Sequence, residues 1–147
     1  MMSHDQIVNM LIRHEGTGPL RNGRLMPYQD TVGKWTIGYG RNLSDMGVTE
    51  NEALYLLEND VGRVREELDH SLPWWREAPD HVQLVLLNMG FNLGVPTLLT
   101  FTTTLELLRT HRYALAAHNL TNTKWHGQVG ARALELEALL SGISETT

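Results

Sequence analysis

A chain of 147 residues, 41% of them hydrophobic, is long enough for one compact domain with its own core. The formal net charge of -5 argues against nucleic acid as the main partner, because phosphate backbones recruit basic surfaces. The lack of cysteine excludes a disulfide framework and all thiol chemistry, and suits a reducing compartment. The opening stretch M-M-S-H-D-Q-I-V-N-M-L-I has no basic leader, and Asn9 and Arg13 interrupt its apolar residues, so no signal peptide is expected. No apolar run approaches the roughly 20 residues that span a bilayer, so no membrane insertion is expected.

Ser3 with Gln6 three residues on has the form of a capping box and predicts a helix start. Ile7, Met10, Leu11 and His14 recur at helical spacing, which predicts a buried stripe before Gly16. Glu15 stands one position past that stripe. The negative end of the helix dipole, helped by partial burial, disfavours a charged carboxylate there and suits a proton donor. An exposed last-turn glutamate before a glycine cap fits the same spacing. Asn22-Gly23 is the dipeptide of a two-residue hairpin, whose central residues both need positive φ. Leu20-Arg21 and Arg24-Leu25 flank it, and the second strand is expected to run on to Tyr28, with an edge or bulge at Pro27.

Asp30-Thr31-Val32-Gly33 is a second turn, and Lys34 to Tyr39 alternates as a strand does. Trp35, Ile37 and Tyr39 then share an apolar face, and Lys34, Thr36 and Gly38 share the other. Thr36 is therefore expected to point away from the apolar face, toward the space beside Asp30. Two carboxylates and a hydroxyl make an acid/base constellation in outline. Each also has an ordinary explanation: Asp is common in turns because it bonds nearby backbone, and Thr is a good strand former. Gly38 and Gly40 leave room for a ligand or for crossing backbone.

Met46-Gly47-Val48 reads as a short link. Thr49 with Glu52 is a clear capping box, and Ala53, Leu54, Leu56, Leu57, Val61, Val64 and Leu68 continue a helical stripe to about His70. Pro73 breaks the pattern. Trp74 and Trp75 point different ways, so at least one packs in the core and the other is open to a sugar ring. Asp80 is expected to cap an apolar helix from Val82 to Met89. Thr103 with Glu106 predicts a further capping box, with Leu105, Leu107 and Leu108 on the buried side. Tyr113 to Leu120 and Ala131 to Leu140 read as helices, the last followed by a polar tail.

H-E-G at 14–16 and Y-Q-D-T-V-G-K-W-T-I-G-Y-G at 28–40 resemble the start of the T-even phage-type lysozymes, the muramidases of glycoside hydrolase family 24. N-M-G-F-N-L-G and T-N-T-K-W-H-G-Q-V-G-A-R carry the resemblance nearly to the C-terminus. It implies an α+β, mostly helical, lysozyme-like single domain spanning 1–147. A small N-terminal antiparallel sheet lobe (1–60) and a helical C-terminal lobe (61–147) would be joined by a long helix, with a cleft between and no separate wall-binding domain. It implies Glu15 as proton donor, Asp30 as the carboxylate that activates water, and Thr36 as the group orienting that water. Phe91, Asn92, Thr104, Asn119, Lys124 and Arg132 match substrate-site positions, with Lys124 where the family has Arg. Arg132 matches the arginine that pairs with the catalytic glutamate. Phe91 as plain core, Asn92 as a helix end and Arg132 on a surface face stay open as alternatives. The chain departs from the family in its long Glu15–Asp30 interval, in Arg41 where His is frequent, and in its acidic charge.

The reaction implied is cleavage of the β-1,4 bond between N-acetylmuramic acid and N-acetylglucosamine in bacterial peptidoglycan, by an inverting acid/base mechanism with no cofactor and no metal. The setting implied is a monomeric phage endolysin, held in the host bacterial cytoplasm and acting in the periplasm and cell wall once a separate holin permeabilises the membrane. Three rivals stand beside it. A zinc amidase has seven histidines to draw on but no H-E-x-x-H spacing. A lytic transglycosylase needs Glu15 but no water-activating carboxylate. A catalytically inactive lysozyme-fold binding module is motivated by the acidic charge and long hairpin.

Overall fold

Ser3 closes a full capping box on the first helix: its hydroxyl accepts from the Gln6 N–H at 3.2 Å and the Gln6 amide oxygen accepts from the Ser3 N–H at 2.8 Å. That helix, α1, runs His4–Glu15 in a computed structural model that describes residues 3–142. The polar tail expected beyond Leu140 lies, from residue 143 on, outside the described residues. The chain divides into two units, Met1–Leu54 and Tyr55–Thr147. The architecture is α+β and mostly helical, a small antiparallel sheet unit followed in sequence by a helical one.

In the first unit, β1 (Leu20–Arg21) pairs antiparallel with β2 (Arg24–Leu25) across Asn22-Gly23, both at positive φ as the turn demands. The expected continuation to Tyr28 is interrupted. Met26 donates its N–H back to the Pro19 carbonyl at 3.0 Å, and Pro27 has no N–H to give. A second sheet follows, β3 (Tyr28–Gln29), β4 (Trp35–Ile37) and β5 (Arg41–Asn42), with β4 in the centre. Thr36 sits opposite Tyr28 on one side and Asn42 on the other.

Burial in this unit differs from the pattern reading. Thr36 is 5% exposed, whereas Trp35 and Tyr39 are half exposed, so the face carrying the hydroxyl is the covered one. α1 buries no residue, and Ile7 and Leu11 of the expected buried stripe are 45% and 48% exposed. A periodic pattern says which side chains share a face, not what lies against it.

α2 (Leu43–Met46), not foreseen as a helix, is capped by Asn42, whose side chain accepts from the Asp45 N–H. α3 (Glu50–Ser71) begins at the expected Thr49–Glu52 capping box, with bonds of 2.8 and 3.1 Å. Only its second half is buried, at Val64 and Leu68, while Leu54, Leu56 and Leu57 are exposed.

The second unit closes a core from the rest of α3, a 3-10 turn (Trp75–Glu77), α4 (Asp80–Leu93), α5 (Val95–Leu98), α6 (Thr102–Arg109), α7 (Tyr113–Thr121), α8 (Lys124–Val129) and α9 (Ala131–Ser141). Trp75 is fully buried and donates its indole N–H to Asp69 at 2.7 Å; Trp74 is half-buried. Gly90 lets α4 approach α3, since a Cβ there would stand 3.0 Å from a Val64 methyl. Glu137, nearly buried, meets the His126 ring nitrogen at 2.6 Å and ties α8 to α9. Two expected caps are replaced. Pro79 holds the N-cap position that Asp80 was expected to fill, and Phe101 starts α6 in place of a Thr103–Glu106 box, leaving Glu106 to pair with Arg109.

Glu52 also grips Arg41 in a two-pronged ion pair, and Arg41 donates to the Gly47 carbonyl at 3.1 Å. The Arg41 guanidinium and the Thr49 N–H hold the Glu52 carboxyl down from its ordinary 4.5 to about 2. A depressed acid contributes stability that is present above its unfolded value and lost as pH falls through the folded one. Over the window from pH 4.5 to 2, Glu52→Gln is therefore expected to lose less melting temperature than the wild type; equal losses would show that the tether does not respond to protonation.

Candidate functional site

The peptide group of Lys34 organises the candidate residues of the sheet unit. Its N–H donates to Asp30 Oδ1 at 2.9 Å, and its carbonyl accepts both the Asp30 N–H at 2.9 Å and the Thr36 hydroxyl at 3.1 Å. Asp30 Oδ1 takes a second backbone N–H from Val32 at 2.9 Å, and Gly33 donates its own to the Asp30 carbonyl at 3.0 Å. This is an Asx-type turn, the local bonding that makes Asp frequent in turns. It fixes the carboxylate plane through Oδ1. Oδ2 has no hydrogen-bond partner among the described residues. Thr36 spends its hydroxyl proton on the Lys34 carbonyl, which leaves its oxygen able only to accept.

Glu15 ends α1, where Gly16 turns the chain with φ +65 and returns its N–H to Ile12. The Glu15 side chain then lies along the β4–β5 turn. A Cβ built on Gly40 would stand 3.1 Å from Glu15 Oε2 and 3.2 Å from Cδ. The room that Gly40 leaves is thus filled by the acid itself. Glu15 is exposed rather than partly burried by neighbours as expected, and it makes no ion pair among the described residues. Asp30 and Glu15 are in this way both held against the same sheet unit, one by its own turn and one by the far turn.

In the helical unit five of the six remaining candidates line two depressions, and Asn92 lines neither. Phe91 and Arg132 line one of about 330 Å3, beside Leu57, Val61, Leu84 and Asn88; both side chains are exposed to it. Thr104, Asn119 and Lys124 line another of about 450 Å3, together with Thr103, Thr123 and Gln128. Thr104 is buried and donates its hydroxyl to the Asn119 side-chain oxygen, so the Asn119 amide N–H groups remain to donate outward. Asn92 accepts the Trp125 indole N–H at 3.2 Å, a bond between residues 33 apart in sequence that braces the wall of this second depression. Among the described residues, no group of three or more His, Asp and Glu side chains is placed to hold a metal ion.

Two features escaped the sequence reading. Arg41, a position whose partner was open, pairs with Glu52, and the opposite charges on either side of the Gly47 turn were the available signal. The double use of the Lys34 carbonyl had no signal, because a backbone acceptor is the same at every residue.

A family model described as phage lysozyme matches residues 18–140, and the chain belongs to the phage lysozyme family. The matched span holds Asp30, Thr36 and all six candidates of the helical unit, and Glu15 precedes it. The chain is similar to "Probable T4-type lysozyme 1" of Dictyostelium discoideum, at 25% identity over 114 residues covering 77% of this chain and 67% of that one. It is also similar to "Probable T4-type lysozyme 2" of the same organism, at 25% identity over 140 residues covering 75% and 82%. The family resemblance read from the motifs holds, and membership supports a lysozyme-like glycosidase.

Gly40→Ala is a direct probe of how Glu15 is seated. The residue's φ of +87 disfavours any side chain, and the new methyl meets the carboxyl. The expected outcome is a stability loss of roughly 1–2 kcal/mol and a larger fractional loss of wall-clearing activity than melting predicts. Full activity in a folded variant would mean that Glu15 works without that seat.

Proposed function

We propose that the protein hydrolyses the β-1,4 bond from N-acetylmuramic acid to N-acetylglucosamine in peptidoglycan, with inversion at the anomeric carbon. The observation that carries this reading is the state of Asp30: one carboxylate oxygen committed to backbone, the other unpartnered among the described residues. A general base needs that division, since the ionised group must be held still while one lone pair faces the reacting water. In the proposed reaction the water gives one proton toward Asp30 Oδ2 and the other toward Thr36, whose oxygen accepts because its own proton is bound to Lys34. The water's lone pair is then free to attack the anomeric carbon. Glu15 protonates the departing glycosidic oxygen, and the base ends with the proton taken from water, so protons balance. An inverting pair needs carboxyls roughly 6.5–9.5 Å apart to admit that water.

Phe91, Asn92, Thr104, Asn119, Lys124 and Arg132 are assigned to holding the glycan. The exposed Phe91 ring offers an apolar surface, and Lys124, Arg132 and the Asn119 amide offer donors to sugar hydroxyl and carbonyl oxygens. The biological role proposed is that of a monomeric phage endolysin, reaching the wall from the host cytoplasm through a lesion opened by a separate holin. The description of the matching family, phage lysozyme, is what suggests the phage setting.

The test is mass analysis of fragments from purified peptidoglycan digested by wild type, Glu15→Gln and Asp30→Asn. Asn retains an Oδ1 acceptor for the Val32 and Lys34 N–H groups, so this variant keeps the turn and loses only the charge. Wild type is expected to yield reducing ends, and each variant to fall by roughly 10²–10⁴-fold. Products ending in 1,6-anhydro sugars would make the protein a transglycosylase instead. No release by wild type, with Glu15→Gln binding the wall identically, would make it a binding module.

A further inference from the structure

We propose that the β1–β2 hairpin is a carboxylate-reading arm, which takes an acidic group of the peptide stem of peptidoglycan between Arg21 and Arg24. The inference rests on the wall substrate proposed above and adds which part of that substrate is read. In the hairpin register Arg21 stands directly opposite Arg24, and Leu20 opposite Leu25. Directly opposed residues project to one face of an antiparallel pair, so the two guanidinium groups share a face and the two leucines share the other. Both arginines are exposed. Like charges directly opposed disfavour a strand pair, and here no acidic side chain among the described residues pairs with them to offset this. Two other cations of this unit differ in kind: Lys34 pairs with Asp45 at 3.0 Å and Arg41 pairs with Glu52, whereas Arg13 of α1, like the hairpin arginines, has no ion pair among the described residues. Arg21 and Arg24 have no acidic partner among the described residues.

The hairpin is also held in place. Asn22 and Gly23 form a turn at φ 51 and 76 that fixes the register. Its base is closed by the Met26-to-Pro19 bond, and Gly18 packs so close to the ring of Tyr28, the strand residue opposite Thr36, that a Cβ there would collide with a ring carbon. The arm therefore leaves the sheet that carries Asp30 and Thr36, on the segment between Glu15 and Asp30. A protein of net charge -5 is repelled at large by an acidic wall, and a local pair of free arginines reverses that at one point. Two planar guanidinium forks facing one way match a carboxylate, which each can bind with paired N–H donors. Stem peptides supply such carboxylates at regular spacing beside the sugar that carries them.

The experiment compares wild type with Arg21→Gln/Arg24→Gln and Arg21→Lys/Arg24→Lys on two substrates. One is sacculi free of teichoic acid, which removes wall phosphate as a source of anions; the other is the same glycan stripped of its peptides by an amidase, with the lactyl carboxylates so exposed converted to amides by carbodiimide and ammonia. Release of reducing ends gives kcat/KM, and cosedimentation with each polymer gives binding whether or not bonds are cut. The double Gln variant is expected to lose at least roughly tenfold in kcat/KM on sacculi, through KM, with no change on stripped glycan. The double Lys variant is expected to restore part of the loss. Equal losses on both polymers, or none on sacculi, overturn the proposal, as does wild-type binding that ignores the peptides. Should wild type cut neither polymer, the hydrolase reading fails while cosedimentation still decides the arginine arm.

Discussion

The peptide unit of Lys34 is the constraint on which the site depends. Three bonds meet on it: its N–H reaches Asp30 Oδ1, and its carbonyl accepts from the Asp30 N–H and the Thr36 hydroxyl. A carboxylate and a hydroxyl six residues apart are thereby referred to one rigid plane instead of to two mobile side chains. Backbone donors suit this use, because they are set by the strand register and need no rotamer of their own. In the proposed reaction Asp30 would serve structure and chemistry together. Removing the side chain would strand two N–H groups and loosen the turn, whereas removing only the charge would leave it standing.

The acid on the other side is positioned by packing rather than by bonds. Glu15 leaves the end of α1 and lies against Gly40, so its orientation depends on a missing methyl and on a turn that only glycine adopts readily. That turn leads straight into Arg41, whose grip on Glu52 and on the Gly47 carbonyl pins β5 to the start of α3. Among the described residues the sheet unit thus places its ion pairs in the connection that follows Gly40, where Lys34 likewise reaches Asp45 on α2. The arginines of the hairpin stand outside this pattern of paired charge.

Much of this was legible where the chemistry is local. Asn22-Gly23, the Asp30 turn, the Ser3 and Thr49 capping boxes and the family motif all depend on neighbours within a few residues, which is the range over which sequence specifies conformation directly. Burial was less legible. Ile7, Leu11, Leu54, Leu56 and Leu57 follow helical spacing and remain exposed, while Thr36 is covered and Trp35 is not. Caps failed where an earlier residue took the position: Pro79 ahead of Asp80, and Phe101 two residues ahead of Thr103. The bond from Trp125 to Asn92 lay beyond any reading of spacing, because it joins two helices brought together by the core. For the same reason the candidates of the helical unit could be named from the motif, but not the division of five of them between two depressions.

The central claim is that Asp30 serves as a base toward water, and the stereochemistry of the first product reads this most directly. Proton NMR of a short glycan during its first minutes of cleavage, before the new reducing end equilibrates, distinguishes the two anomers. The account predicts the α-anomer, from water entering opposite the departing sugar. Initial appearance of the β-anomer would mean a double displacement, and would contradict the role drawn from the Lys34 peptide and its two partners.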